Sequence, residues 1–283
     1  MLRIVVDSTC DLPRDFMEEY GIAVLPLHVI VGERIYLDRK TISTEEVYGL
    51  MRAGVMPSTS QVNQMDTEEA LEDCLRRGDD LLYLAFSGKM SGTCGAVSQV
   101  MGKLAERYPE RRMRTLDSRG GSFATGLIAM EAARAARSGL DFDDVAARCE
   151  FLIAHVEHVF VISDLKWMVR GGRISRTMGY TANLLDIKPV LDVKDGEMEV
   201  IRKVRGRLNS MRRVADIVAE RAANCLRQTI GITHADDLEA ADTMRELLRQ
   251  RLPGCSFLTE EIGAVLGVHL GIGGVGVFFF NAM

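Results

Sequence analysis

Three predicted strands, each followed by polar residues and then by a segment of helical periodicity, constrain the fold of this chain most. Residues 2–6, 81–86 and 113–116 lead into Asp7-Ser8, Ser87 and Asp117-Ser118, respectively. Strands that alternate with helices form a parallel sheet whose strand ends meet at one edge, where ligands of open α/β sheets bind. Asp and Ser are also common turn and cap residues, so each exit alone has a purely structural interpretation. Together they predict an α/β fold with a candidate site at that edge.

The second of these exits carries the strongest signal for a site. Ser91-Gly92-Thr93 opens a segment whose apolar residues recur at helical spacing, and we predict that Ser91 caps this helix. A helix N-terminus offers unpaired backbone N–H groups and the positive end of the helix dipole, so it favours an anion. Hydroxyl groups are added by Ser91 and Thr93, and by Thr59 and Ser60 on a predicted loop. The sequence therefore predicts that a carboxylate binds here.

The other predicted elements continue the alternation of strands and helices. Strands are predicted at 22–31, 34–37, 159–162, 229–233, 256–259 and 275–280, and helices at 13–20, 43–52, 66–77, 122–137, 141–154, 164–170 and 237–252. Asp195-Gly196 lies between two apolar runs, which indicates a hairpin. A domain boundary is expected near residue 155, between an N-terminal domain of residues 1–155 and a C-terminal domain of residues 156–283.

Length and charge limit the classes of function. A chain of 283 residues predicts two domains or one large α/β domain. The net charge of −5 argues against bulk attraction to nucleic acid or membranes. The six cysteines form no CxxC or metal-like spacing, and no signal peptide or membrane-spanning run is evident. We therefore expect a soluble cytoplasmic protein with no metal or redox cofactor and no stable membrane insertion.

Two motifs suggest enzyme chemistry and have weaker support. Residues 271–276 match the GxGxxG pattern, but they precede an apolar strand instead of opening a helix, which argues against dinucleotide binding. Gly120-Gly121-Ser122 follows a strand and opens a helix, like a nucleophile elbow. A serine hydrolase that uses Ser122, with His234 or His269 as its base, is the alternative function.

Two further features have both a structural and a functional interpretation. His269 stands between apolar residues and a glycine-rich stretch, where it is either a core histidine or a site residue. A basic cluster includes Arg202, Lys203 and Arg205 in a chain that is acidic overall. It is either a solvated face or a docking surface for an acidic or phosphate-bearing partner.

The ordered set of short motifs resembles the DegV family of bacterial fatty-acid-binding proteins. The motifs that carry this resemblance are Asp7-Ser8-Thr9-Cys10-Asp11-Leu12, Thr59-Ser60-Gln61, Ser91-Gly92-Thr93, Asp117-Ser118, Gly171-Gly172-Arg173-Ile174, Lys188-Pro189, Lys203-Val204-Arg205-Gly206, His234-Ala235 and His269-Leu270-Gly271. Each motif is weak alone, but they run in family order over nearly the whole chain.

The resemblance implies a fold, a ligand and a partner. It implies two α/β domains, an N-terminal one with a parallel sheet and a C-terminal one with a mixed sheet, and a long-chain fatty acid buried between them. It also implies a binding protein without catalytic activity of its own, and some members are the acyl-carrying subunit of a two-component fatty acid kinase. The implied carboxylate-binding residues are Thr59, Ser60, Ser91, Gly92 and His269, and the implied contacts with a kinase subunit or phosphate are Arg173, Arg202 and Arg205.

Overall fold

The structure is a computed structural model that describes residues 1–174 and 186–283. Its strands are β1 Leu2–Asp7, β2 Ala23–Leu25, β3 His28–Val31, β4 Arg34–Leu37, β5 Ser58–Ser60, β6 Asp80–Ala85, β7 Met113–Asp117, β8 Val156–Val161, β9 Ile187–Lys194, β10 Glu197–Arg205, β11 Thr229–His234, β12 Ser256–Glu261 and β13 Val275–Phe280. Its helices are α1 Arg14–Tyr20, α2 Thr44–Arg52, α3 Gln64–Arg76, α4 Thr93–Arg107, α5 Phe123–Arg137, α6 Phe142–His155, α7 Lys166–Arg170, α8 Arg207–Arg221, α9 Leu238–Arg251 and α10 Ala264–Leu270.

The N-terminal sheet is parallel, as the sequence predicts. Its strand order is β2-β1-β6-β7, and every neighbouring pair is parallel. The ends of β1, β6 and β7 therefore lie at one edge, which brings Asp7, Ser87 and Asp117 to the same side of the sheet. The contact between Gly88 N and Asp117 Oδ2, at 3.1 Å, shows how close two of these exits are.

The C-terminal sheet is mixed, which confirms the predicted fold class. Its strand order is β10-β9-β8-β13-β11-β12, in which β11 and β12 are parallel and the other pairs are antiparallel. The predicted hairpin forms β9 and β10, and Asp195 and Gly196 turn between Lys194 and Glu197 with positive φ angles. An Asp-Gly pair suits such a turn because both residues tolerate positive φ.

A third, three-stranded sheet corrects two predictions. The single strand predicted at 22–31 is two strands in different sheets, because Pro26 lacks an N–H group and interrupts the ladder between β2 and β3. The loop predicted for Thr59 and Ser60 is wrong: both lie on β5, where Thr59 pairs with Val29 and Ser60 with His28.

The helix starts also differ by one or two residues from the predictions. Helix α4 begins at Thr93 with Gly92 as its N-cap, so the prediction that Ser91 caps it is wrong by one position. Helix α3 begins at Gln64, before the predicted Asp66, because the side chain of Asn63 accepts hydrogen bonds from the first turn. The Ser43–Glu46 capping box of α2 is confirmed.

Helix α5 joins the two halves of the structure. Eleven of its fifteen residues are buried, and it packs against strands of both large sheets. Its first two turns are apolar almost all round, as expected for a helix end that is buried between sheets, and its charged residues lie in the last two turns. Its core cluster includes Leu82 and Leu84 from β6 together with Phe278 and Phe280 from β13. The boundary near residue 155 stays a prediction, because the two halves share this core.

No helix within residues 1–174 and 186–283 is long and apolar enough to span a bilayer.

Candidate functional site

A cavity of about 380 Å³ lies between the two large sheets. The first half of the chain supplies Leu27 and Phe86 to its wall, and the second half supplies Phe160, Val265 and Phe278. Its volume lies within the range of small-ligand pockets, which are mostly apolar with a few placed polar groups. The cavity therefore suits a largely apolar ligand held by both halves of the chain.

One end of the cavity holds a hydrogen-bonded pair from two distant parts of the sequence. Thr59 Oγ1 lies 2.7 Å from His269 Nε2, which joins β5 to α10. A Cβ atom at Gly171 would lie 2.2 Å from His269 Nδ1, so only glycine leaves room for the imidazole in this position. The sequence singled out Thr59 and His269 separately, and the structure brings them into contact.

The imidazole of His269 is neutral at pH 7. Burial lowers the pKa of His269 to about 4, and the positive charges of Arg173 and Arg170 act in the same direction. Its Nδ1 atom is buried and has no hydrogen-bond partner among the described protein atoms. At neutral pH this ring therefore offers one N–H donor and one acceptor, but no charge.

The start of α4 adds polar groups to the same end. Ser91 Oγ accepts a hydrogen bond from Thr93 N at 3.2 Å and donates to Thr93 Oγ1 at 3.0 Å. A Cβ atom at Gly92 would lie 2.2 Å from Gln61 Oε1, so this glycine lets the strand β5 segment approach the helix N-terminus. Ser91, Gly92 and Gln61 all line the cavity. Hydroxyl groups, a helix N-terminus and a neutral histidine thus converge at this end of the cavity, and such a set of donors suits an anionic group.

The remaining candidate residues lie at different distances from this end. Ser60 lines the cavity, while its hydroxyl lies 3.1 Å from His28 Nδ1. Arg173 also lines the cavity, where its guanidinium donates to the backbone oxygens of Gly171 and Met90. Arg202 and Arg205 are exposed on the edge strand β10 and are not part of the cavity wall.

Ser122 has the strained backbone of a nucleophile elbow but a different partner. Its φ of 55° and ψ of −136° are unusual for a residue other than glycine. Its hydroxyl donates to Asp11 Oδ2 at 2.6 Å, and Asp11 Oδ1 accepts from Gly263 N at 2.9 Å. The proton of Ser122 is therefore held by a carboxylate and not by a histidine base, so this geometry favours a structural tie over a hydrolase triad.

The walls of the cavity are the part of the site that the sequence did not reveal. The polar side chains that were missed are Thr233 on β11 and His158 on β8. The glycines around the start of β13 are a sequence signal for these walls, because Gly274, Val275, Gly276 and Phe278 line the cavity while Val277 packs into the opposite core. Two alternate glycines beside a bulky residue are typical of a strand face that something approaches closely.

Metal and disulfide chemistry have no support in the described ranges. No group of three or more His, Cys, Asp or Glu residues there is arranged to hold a metal ion. The cysteines at 10, 74, 94, 149, 225 and 255 are free thiols.

Comparisons with known proteins match the whole chain to one family. A family model described as an uncharacterised protein of the DegV family matches residues 1–282. A DegV domain-containing protein of Clostridium perfringens is 35% identical over 281 residues, which cover 98% of this chain and 97% of that protein.

Two solved structures share the fold over nearly their full length. A DegV family protein of Thermus thermophilus, described by its fatty acid binding, is 29% identical with a TM-score of 0.87, and the match covers 99% of each chain. DegV of Bacillus subtilis, described as a fatty acid binding protein, is 26% identical with a TM-score of 0.87, again over 99% of each chain. From its sequence and its fold, this chain belongs to the DegV family.

Proposed function

We propose that this protein binds a long-chain fatty acid, with the carboxylate at Thr59 and Ser91 and the acyl chain in the cavity between the two halves. The observation that carries the proposal is the Thr59–His269 pair at one end of an otherwise mainly apolar cavity. The fatty acid binding described for the proteins of Thermus thermophilus and Bacillus subtilis supports it.

Neutral donors recognise the carboxylate in this proposal. If the Nε2–H of neutral His269 donates to Thr59 Oγ1, the hydroxyl proton of Thr59 is free to donate to a carboxylate oxygen. Ser91, Ser60 and the backbone at Gly92 lie at the same end, and Ser91 supplies a further donor when its hydroxyl turns from Thr93 Oγ1 to the carboxylate. Such contacts hold the head group in register and leave one oxygen available for further chemistry, which a bidentate arginine pair would occupy.

The acyl chain supplies most of the affinity. Burial of each CH₂ group contributes about 0.8 kcal/mol, so a long chain offers on the order of 10 kcal/mol before the costs of ordering are subtracted. The cavity walls at Phe160, Val265 and Phe278 are apolar and can accept it. The protein acts as a carrier in this proposal and has no metal, cofactor or catalytic group of its own.

We expect a co-purified ligand to test this proposal directly. Native mass spectrometry of the purified protein should show a mass excess that organic extraction converts into free long-chain fatty acid. The extracted protein should regain the excess when it is incubated with palmitic, stearic or oleic acid. Recovery of a ligand without a carboxylate, or no uptake of any of the three acids by the extracted protein, would contradict the assignment.

A separate kinase subunit is the proposed partner. Arg202 and Arg205 lie exposed on β10, outside the cavity, where a second protein that carries ATP can reach them. Arg173 lies in the cavity wall, nearer to the proposed carboxylate, so we propose that it meets the incoming phosphate. These arginines form a local basic patch, which can attract an acidic or phosphate-bearing partner although the net charge of the chain is −5.

Replacement of Arg205 by alanine should lower acyl phosphate formation by about tenfold in a reaction reconstituted with an ATP-binding fatty acid kinase subunit, because one rim charge is lost. Fatty acid affinity, measured by titration without the kinase, should not change. Arg249→Ala is the matched control, since Arg249 is exposed on α9 and two-thirds of its side chain is free to solvent. Equal turnover of the Arg205 and Arg249 variants would remove Arg205 from the interface.

A further inference from the structure

The end of the cavity that lies away from His269 contains polar side chains without a partner. His158 is 3% exposed and Thr233 is fully buried, and both line the cavity. Neither His158 Nδ1, His158 Nε2 nor Thr233 Oγ1 has a hydrogen-bond partner among the described protein atoms. A buried polar atom that stays unpaired costs about 1–3 kcal/mol, so two such side chains in one apolar cavity point to a ligand group that pairs with them.

The register of the mixed sheet places these side chains on the cavity face. Phe160, Gly276 and Thr233 stand side by side on β8, β13 and β11, and His158 and Phe278 stand in the next row on the same face. A Cβ atom at Gly276 would lie 2.9 Å from the ring of Phe278 and 3.0 Å from Thr233 Oγ1, so the missing side chain makes room for both groups on this face.

His158 lies farther from the head-group end than Phe160 does. Ile162 directly follows β8, and Phe160 and His158 precede it on the cavity face. The start of β13, which comes soon after His269 in the chain, pairs with Val161 at the end of β8, whereas His158 pairs with Phe278 farther along β13. Each step of two residues along a strand is about 7 Å, so His158 lies about 13 Å beyond Ile162. An acyl chain that starts at Thr59 therefore passes Thr233 and reaches His158 with its distal half.

The chemistry of these two side chains selects the group that would pair with them. Burial lowers the pKa of His158 to about 4, so its ring is neutral and has one donor and one acceptor nitrogen. The hydroxyl of Thr233 also both donates and accepts. No cation is among the residues of this end of the cavity, and the buried carboxyl of Asp11 lies just behind Ser122, which disfavours a second anionic group. A neutral hydroxyl matches both partners.

We propose that the distal half of the cavity recognises a hydroxyl group on the acyl chain through Thr233 or His158, so that the ligand class is hydroxylated long-chain fatty acids. This inference rests on the proposed function, because it requires the carboxylate to lie at Thr59. It adds a second polar contact to the one at the head group and thereby sets the preferred position of oxygen along the chain.

Paired fatty acids that differ only in one hydroxyl test the inference with the extracted wild-type protein. The pairs are oleic against ricinoleic acid, stearic against hydroxystearic acid with the hydroxyl at mid-chain, and palmitic against ω-hydroxypalmitic acid. In at least one pair the hydroxylated acid should bind about tenfold more tightly, since it satisfies a buried polar atom. Tighter binding of the plain acid in all three pairs, or equal binding, would overturn the inference while leaving the proposed function intact.

Two substitutions identify the residue that makes the contact. Thr233→Val keeps the branched shape and removes the hydroxyl, and His158→Phe keeps a planar ring and removes both nitrogens. In one of these two variants the hydroxylated acid and the plain acid should bind about equally, so that the tenfold preference is lost. Thr229→Val is the matched control, because Thr229 lies on the same strand with its hydroxyl bonded to Ser256, outside the cavity, and its preference should equal that of the wild type.

The same experiment separates the two proposals. If none of the six acids binds, the proposed function fails and the inference fails with it. If the preference in the wild type survives in both Thr233→Val and His158→Phe, the hydroxyl binds elsewhere and the inference is wrong. The comparison of acid pairs in the wild type does not depend on any variant folding.

Discussion

Replacement of Thr59 by valine should weaken the binding of a long-chain fatty acid by about tenfold to a hundredfold. Valine keeps the branched shape that β5 requires but removes the hydroxyl that lies 2.7 Å from His269 Nε2. A hydrogen bond to a charged group contributes about 1.5–3 kcal/mol, and each 1.4 kcal/mol is a factor of ten in affinity. The measurement is a calorimetric titration of extracted protein with oleic acid.

Two controls decide whether the loss belongs to the carboxylate contact. Ser58→Ala changes an exposed hydroxyl on the same strand and should bind like the wild type. His269→Phe should also weaken binding, and the double variant should lose less than the sum of the two single losses, because the two side chains act through one hydrogen bond. Unchanged affinity in Thr59→Val would remove Thr59 from the carboxylate site, and full additivity would mean that His269 does not act through it.

The parallel sheet could be predicted because its signals are local. Strands β1 and β6 are mainly apolar runs that are buried along most of their length, and polar residues follow β1, β6 and β7 where each strand ends. The capping box at Ser43 and the Asp195-Gly196 turn likewise depend on a few neighbouring residues. Such patterns are set by short-range backbone chemistry and are therefore visible in one sequence.

The strand β5 and the cavity walls could not be predicted, because both depend on partners far away in sequence. Three residues are too few to show a period of two, and β5 exists because Thr59 pairs with Val29. The hydrogen bond between His269 and Thr59 could not be predicted, because the two residues are 210 positions apart in the chain and only the fold brings α10 to β5. The proposed head-group residues were predicted from a helix N-terminus and a family resemblance, whereas Thr233 and His158 belong to strands that gave no sign of which face would meet a cavity.

The side chain of Asp11 connects three parts of the chain that are far apart in sequence. Its carboxyl group is completely buried and accepts hydrogen bonds from Ser122 Oγ at 2.6 Å, Gly263 N at 2.9 Å and Arg39 Nη2 at 3.1 Å. These donors belong to the start of α5, the start of α10 and the turn after β4. The contact with Gly263 ties the segment that carries His269 to the N-terminal sheet.

Replacement of Asp11 by alanine should therefore lower the free energy of unfolding by about 3–5 kcal/mol at pH 7. The variant leaves a buried hydroxyl, a buried backbone N–H and a half-buried guanidinium without their acceptor, and breaking such a buried pair is strongly destabilising. The measurement is urea unfolding followed by circular dichroism. Asp73→Ala is the control, since Asp73 is an exposed carboxylate on α3 whose removal should cost less than 1 kcal/mol. If Asp11→Ala lowers the free energy of unfolding as little as Asp73→Ala does, the buried carboxyl group of Asp11 does not hold these segments together.

The pH dependence of Asp11→Asn tests the same carboxyl group with almost no change of shape. Burial raises the pKa of Asp11 from its ordinary value of 3.8 to about 6, against the opposing effect of Arg39. Between these two values the folded protein keeps a proton that the unfolded chain has lost, so the wild type loses stability relative to Asp11→Asn as the pH rises. The relative loss should be complete above pH 6 and amount to about 3 kcal/mol. A difference that stays constant from pH 4 to pH 7 would show that Asp11 is ionised throughout, and that Arg39 compensates fully for its burial.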